Sequence, residues 1–189
     1  MVEAIVEAAA RVLETRGLAG FNTNAVAERA GISVGSLYQY FPGKEAIVAA
    51  LSARERAVLA GEIAATARRT AGLSLEDALR GLARAAIRRQ RARPALARIL
   101  DFEEQRLVLD EADRATTLEI ANHVAAVLQA HRARLSVADL GEAALDVIAI
   151  ARSLIDAAAH RAAVDPGALE DSIVRSALGY LTGRVNVGT

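Results

Sequence analysis

The stretch Thr23–Ala50, TNAVAERAGISVGSLYQYFPGKEAIVAA, reads as two short helices around a tight turn. Val26, Ala27 and Ala30 make one apolar face, Gly31 permits a sharp exit, and Ser33 can cap a second helix whose Leu37 and Phe41 pack inward. That second helix leaves Ser36, Tyr38, Gln39 and Tyr40 directed elsewhere. Hydroxyls and an amide on the exposed end of a short helix suit hydrogen bonds to phosphates and to base edges of a DNA major groove. A helical turn by itself is more often an ordinary hairpin inside an all-α domain. The polar set on one short helix, with Lys44 placed to meet a phosphate from the start of the next, reverses those odds in favour of DNA.

The rest of the chain sets the class. Alanine and leucine dominate, 53% of the 189 residues are hydrophobic and only three prolines interrupt them, while apolar positions recur at three- and four-residue steps. An all-α protein follows, with apolar content enough to bury a core. The absence of cysteine removes disulfides and thiolate metal sites. The start, MVEAIVEAAARVLETRG, lacks the basic head and apolar run of a signal peptide, and no uninterrupted apolar run is long enough for a membrane span, so a cytoplasmic protein is expected. There is no glycine-rich phosphate loop, no nucleophile elbow and no convergent carboxylate or serine set, so neither an enzyme nor a cofactor is expected. His123, His131 and His160 are too scattered for a metal site and read as structural, with His131 on the apolar arc of its helix.

Along the chain, residues 3 to 16 give a first helix with Ile5, Val6, Ala9, Val12 and Leu13 as its stripe. Lys44 opens a long connector that runs to about residue 70, before Gly72 breaks it. Ser74 and Asp77 form a capping box for the next helix, and Pro94 ends that helix and opens a short one reaching Arg106. A further helix is expected over Asp110–Leu135, with Ser136 and Asp139 capping a helix within residues 137 to 163. Asp165 and Pro166 then start the last helix. The two adjacent apolar stripes of 137–163 are too wide for one solvent-facing surface helix, and small residues on the last two helices would let a partner helix approach closely. By pattern these two helices are a dimerisation surface. Arg80, Arg84, Arg88 and Arg91 form a ridge at helical spacing that reads as a solvated face.

The N-terminal quarter resembles the TetR family of bacterial transcriptional regulators. The resemblance lies in a first helix ending at Gly17, a capping Thr23, the run AERAGIS, and GSLYQYF followed by Pro42, Gly43 and Lys44, without a gap over about fifty residues. It implies a three-helix helix-turn-helix DNA-binding domain over residues 1–51 and a C-terminal helical domain over 52–189 that binds an effector and forms a homodimer through a four-helix bundle. By family position, Thr23, Ser33, Tyr40 and Lys44 are expected on phosphates, and Val34, Gly35, Ser36, Tyr38 and Gln39 near base edges, Gly35 through close backbone approach. The implied pocket lies between residues 75 and 156. Phe102, Arg106, Ile120, His123 and Arg152 combine apolar bulk with polar handles and are the candidates for a small apolar effector. Ile148, Ile155, Leu169, Ile173 and Leu178 are the candidates for the dimer interface. The expected partner is a double-stranded, palindromic operator.

Charge runs against this reading. The formal net charge is zero, and residues 1 to 51 carry Arg11, Arg16, Arg29 and Lys44 against Glu3, Glu7, Glu14, Glu28 and Glu45. A DNA binder usually shows a basic footprint. Either the basic arm that the family often carries before its first helix is missing from this sequence, or local placement of the charges suffices with the glutamates facing away from DNA. The neutral charge also favours the alternative function, a helical-bundle binding module for a small molecule or protein with a vestigial DNA motif.

Overall fold

The computed structural model describes residues 1–104, 111–159, 161 and 164–183, and all of the regular structure among them is helical. The elements are α1 (Val2–Arg16), α2 (Thr23–Ala30), α3 (Val34–Tyr38), α4 (Lys44–Arg69), α5 (Leu75–Ala92), α6 (Pro94–Glu104), α7 (Glu111–Ala130), a single 3-10 turn (Arg132–Arg134), α8 (Leu140–Ala159) and α9 (Pro166–Thr182). The chain divides into two compact units: Met1–Ala57 with Ala92–Asp113, and Val58–Arg91 with Arg114–Thr189.

In the first unit, α1 lays Ile5, Val6, Ala9, Val12 and Leu13 against a core completed by Phe21, Val26, Leu37, Phe41, Ile47 and Leu51. α6 belongs to this unit although it follows α5 in sequence: Leu96 and Leu100 are buried in the same core, and α6 packs on α1. Pro94 supplies the first turn of α6, where its missing N–H costs nothing.

The second unit is built from the end of α4 with α5, α7, α8 and α9, around Ile63, Leu79, Leu82, Val124, Leu128, Val147, Ile173 and Leu181. Half of the predicted capping box is seen at α5: Ser74 Oγ accepts from the Asp77 N–H at 3.1 Å, while the Asp77 carboxylate accepts from the Ser74 hydroxyl at 2.6 Å in place of the Ser74 backbone N–H. Asp165 caps α9, accepting from Ala168 N–H at 2.8 Å, with Pro166 as first helical residue.

Four local expectations are corrected. α7 stops at Ala130 rather than Leu135, and His131 lies past its end as the residue that precedes the 3-10 turn. Asp139 alone caps α8, accepting from Gly141 N–H at 2.7 Å and Glu142 N–H at 3.0 Å. Ser136 closes the other end of the hairpin instead: its N–H donates to Leu181 O at 2.8 Å and its hydroxyl to Thr182 O at 2.9 Å, satisfying two carbonyls that the end of α9 leaves open. The arginine ridge of α5 is not simply solvated. Arg84 holds both oxygens of the buried Glu170 at 2.9 and 2.8 Å, and Arg80 bonds Glu170 at 3.2 Å and Asp171 at 2.6 Å. The hydrogen bonds from Arg84, then those from Arg80, keep the Glu170 carboxyl below the usual carboxylate range against the opposing effect of its burial. This strap ties α5 to α9.

Candidate nucleic-acid interface

α2 begins at a cap one residue earlier than the sequence suggests. Asn22, in extended backbone, accepts from the Ala25 N–H at 2.9 Å, so Thr23 is the first helical residue and its hydroxyl is not spent on capping. That hydroxyl lies 3.3 Å from the Tyr38 hydroxyl, linking the start of α2 to the end of α3. At the other end Gly31 takes φ 70° and ψ 31°, its N–H reaching Glu28 O at 3.2 Å while Ile32 N–H reaches Ala27 O at 3.1 Å. This pair of bonds requires a left-handed residue, which glycine adopts at no steric cost. The sharp exit read from Gly31 is thus accounted for bond by bond.

Ser33 caps α3 as expected, accepting from the Ser36 N–H at 3.0 Å, and the two serine hydroxyls stand 2.8 Å apart. α3 is five residues long and is anchored by one fully buried side chain, Leu37, with Phe41 buried just beyond it. The opposite side stays open. Tyr38 is 52% and Tyr40 46% exposed, Gln39, Gly35 and Lys44 are exposed, and Thr23, Ser33, Val34 and Ser36 sit around them exposed or half-buried. Two tyrosines held in water beside each other are not explained by the packing of this unit, whose core is complete without them. A Cβ built on Gly35 would meet only Ser33 Oγ, at 3.8 Å, so the protein's own fold does not demand glycine there.

Lys44 is the only lysine in the sequence, every other basic residue being arginine. It is the first residue of the 26-residue α4, whose opening N–H groups and dipole favour an anion at that spot. Among the described residues Lys44 carries no ion pair, and neither does the exposed Arg29 in the last turn of α2. Arg29 is a basic group beside the motif that sequence reasoning passed over.

Among the described residues, four of the five glutamates counted in residues 1 to 51 are paired with arginines, Glu45 beside Lys44 being the exception. Glu3, Glu7 and Glu14 share one side of α1, where Arg54 reaches Glu3 at 2.9 Å and Glu7 at 3.2 Å, and Arg93 reaches Glu14 at 2.6 Å. Glu28 faces Arg16 at 3.8 Å. Hydrogen bonds from Arg93 hold the Glu14 carboxyl below its ordinary range. At Glu7 burial opposes ionisation, and Arg11, Arg93 and Arg54 together outweigh it. The count over residues 1 to 51 overstates the acidity of the motif, because Arg54 and Arg93 lie outside that window and neutralise α1 from two other segments.

Sequence profiles agree with this geometry. The family described as "Bacterial regulatory proteins, tetR family" matches residues 5–51, and "Tetracyclin repressor-like, C-terminal domain" matches residues 74–181, more than half of the chain. The chain belongs to the TetR family. Solved structures share its fold: the fatty acid degradation regulator FadR of Bacillus halodurans at TM-score 0.75 and 19% identity, over 96% of this chain and 100% of that one. A TetR-family regulatory protein from Rhodococcus RHA1 aligns at TM-score 0.71 and 20% identity, over 95% and 96% of the two chains. A TetR-family transcription regulator from Marinobacter aquaeolei VT8 gives TM-score 0.70 and 20% identity, over 97% and 96%. No curated protein matches the chain in sequence.

In this TetR-family regulator the nine residues expected to meet DNA all fall on the start of α2, on α3 with its cap and the turn behind it, and on the start of α4. The effector candidates are more dispersed. Phe102, on α6 of the first unit, is 53% exposed, whereas Ile120 and His123 on α7 and Arg152 on α8 belong to the second. Ile120 and His123 are half-buried, with His123 Nε2 4.0 Å from Glu119, and Arg152 is exposed with its Nε 3.9 Å from Asp156. Arg106 lies outside the described residues, as does His160.

Among the interface candidates, Ile155 is 8% and Ile173 3% exposed in the single chain, both within the core of their own unit, so they have little surface to offer a partner. Ile148, Leu169 and Leu178 are half-buried against that core. The exposed sides of α8 and α9 carry Leu145, Ala149, Arg152 and Ser153, and Ala168, Arg175 and Ser176, while Ser172 and Gly179 are half-buried. Among the described residues no helix is long and apolar enough to cross a membrane, and no group of three or more His, Cys, Asp or Glu could hold a metal ion.

Proposed function

We propose that this TetR-family regulator is a homodimeric repressor that occupies a palindromic operator and is released from it by a small apolar effector. One observation carries the DNA reading: the open side of α3, with Tyr38, Gln39 and Tyr40 exposed around a Gly35 that nothing in the protein requires, adjoins the unpaired Lys44 at the head of α4. Thr23, Ser33, Tyr40 and Lys44 take phosphates. Val34, Gly35, Ser36, Tyr38 and Gln39 face base edges, and Gly35 lets the DNA backbone come close.

Homodimerisation is supported by α8 and α9, which pack on each other and leave Leu145, Ala149 and Ser153 exposed on one helix and Ala168 and Ser176 on the other. Small side chains at helical spacing permit close approach of a second helix pair, giving a four-helix bundle across a two-fold axis. Residues 1–51 read the operator, and residues 52–189 carry effector binding and dimerisation. The aliphatic make-up of the second unit favours an apolar effector, with Ile120, His123 and Arg152 as its contacts there. A fatty acyl chain is the first class to titrate, since FadR of Bacillus halodurans, with the same fold, is named as a regulator of fatty acid degradation.

The test compares Lys44→Ala with Tyr38→Ala in anisotropy titrations on DNA from upstream of the protein's own gene. Lys44→Ala is expected to weaken binding to every sequence alike and to reduce the salt slope by about one counterion. Tyr38→Ala is expected to change the preference among point-substituted sites and leave the slope nearly unchanged. Parent-like binding by both variants would contradict the site.

A further inference from the structure

The chain leaves the second unit at Arg91 and re-enters the first at Ala92, and the next residue, Arg93, grips α1. Its Nε and Nη2 donate to the two oxygens of Glu14 at 2.6 and 2.7 Å, a planar fork, and its Nη1 donates to Glu7 at 3.3 Å. Both partners are largely withdrawn from water, with the Arg93 side chain 24% and the Glu14 side chain 27% exposed. A fork fixes orientation as well as distance, which the apolar contacts of Leu96 and Leu100 do not. α1 in turn packs on α2, the first helix of the DNA motif.

We propose that Arg93 is the positioning residue through which the state of the second unit sets operator affinity: an ion clasp that makes α1, and with it α2 and α3, follow the end of α5. The clasp rests on the reading of α3 as the operator-reading helix. Loss of the fork leaves α6 held on α1 by apolar contacts alone while the Arg54 ion pairs from α4 remain, so a disturbance arriving through α5 no longer reaches the motif in a defined direction.

A double-mutant cycle tests it. Leu128→Ala removes a fully buried side chain of the second unit, and Val174→Ala is the milder variant should the first fail to fold. Operator affinity is measured by anisotropy on DNA from upstream of the gene, in the parent, Arg93→Met, Arg93→Lys and Glu14→Gln backgrounds. With the clasp intact, the second-unit substitution is expected to shift affinity by at least about five-fold, the lower end of usual site-to-site coupling. In the Arg93→Met and Glu14→Gln backgrounds the shift should fall below about two-fold. Arg93→Lys, which keeps the charge and loses the fork, should behave like Arg93→Met. Distant substitutions without shared partners ordinarily add, so an equal shift in all backgrounds, or none in the parent, overturns the proposal. Hydrogen exchange of the same variants without DNA separates this from failure of the DNA reading. A parent that binds no DNA refutes that reading, while α1 amides that respond to Leu128→Ala only when Arg93 and Glu14 are both present still support the clasp, and α1 amides that respond equally in every background refute it.

Discussion

Leu37→Ala is expected to abolish operator binding while the second unit stays folded. Leu37 is the one fully buried side chain of the five-residue α3, with Val34 only partly buried against the same core. Truncating such a leucine costs about 2–5 kcal/mol, a large part of the roughly 5–15 kcal/mol that stabilises a small domain. α3 is too short to persist as a helix without that anchor. The second unit has its own core, so its helices should survive the change. Circular dichroism should show most of the helix retained with an early, partial melting step, and anisotropy should show no operator binding. Retained binding at parental affinity would mean that α3 is not the reading element.

Leu145→Arg and Ser176→Arg are each expected to convert the dimer to a folded monomer and to weaken operator binding steeply, since a monomer reaches only one half-site. Both positions are exposed, Leu145 on α8 and Ser176 on α9, so a long charged side chain is accommodated in the single chain and collides with or desolvates against a partner helix. Ile155→Arg serves as contrast. With Ile155 8% exposed in its own unit, the substitution should unfold that unit rather than dissociate it. Sedimentation with circular dichroism separates these outcomes, and a parental dimer mass for both surface variants would place the interface elsewhere.

Much of the motif was legible because its signals are local. Gly31 in a left-handed turn, Ser33 as a cap and Leu37 and Phe41 four residues apart each act within a few residues of themselves, and pattern reading reaches that far. The N-cap was misplaced by one residue because asparagine and threonine are both good caps and stand side by side at Asn22 and Thr23. Longer-range facts were hidden. Periodicity gives α6 an apolar face through Leu96 and Leu100 without saying that α1 covers it. The arginines that neutralise α1 come from positions 54 and 93, and no window of residues shows that pairing. Ile155 and Ile173 raise a related point, since the most apolar stripe of a helix hairpin goes to its own core and both are buried in the single chain. The weaker, small-residue stripe is what remains for a partner. Effector contacts left the faintest trace, because a cavity needs only ordinary aliphatic side chains.

The central claim, that this TetR-family chain works as a dimeric reader of DNA, is tested most directly by titrating the unmodified protein onto labelled DNA from upstream of its gene between about 50 and 200 mM salt. Unrelated DNA of the same length serves as competitor. Saturation at two chains per site is expected, with preference for the upstream fragment and an affinity that falls as a power of salt concentration with a slope set by several phosphate contacts. Equal affinity for both DNAs, or no salt-sensitive binding at all, would contradict it.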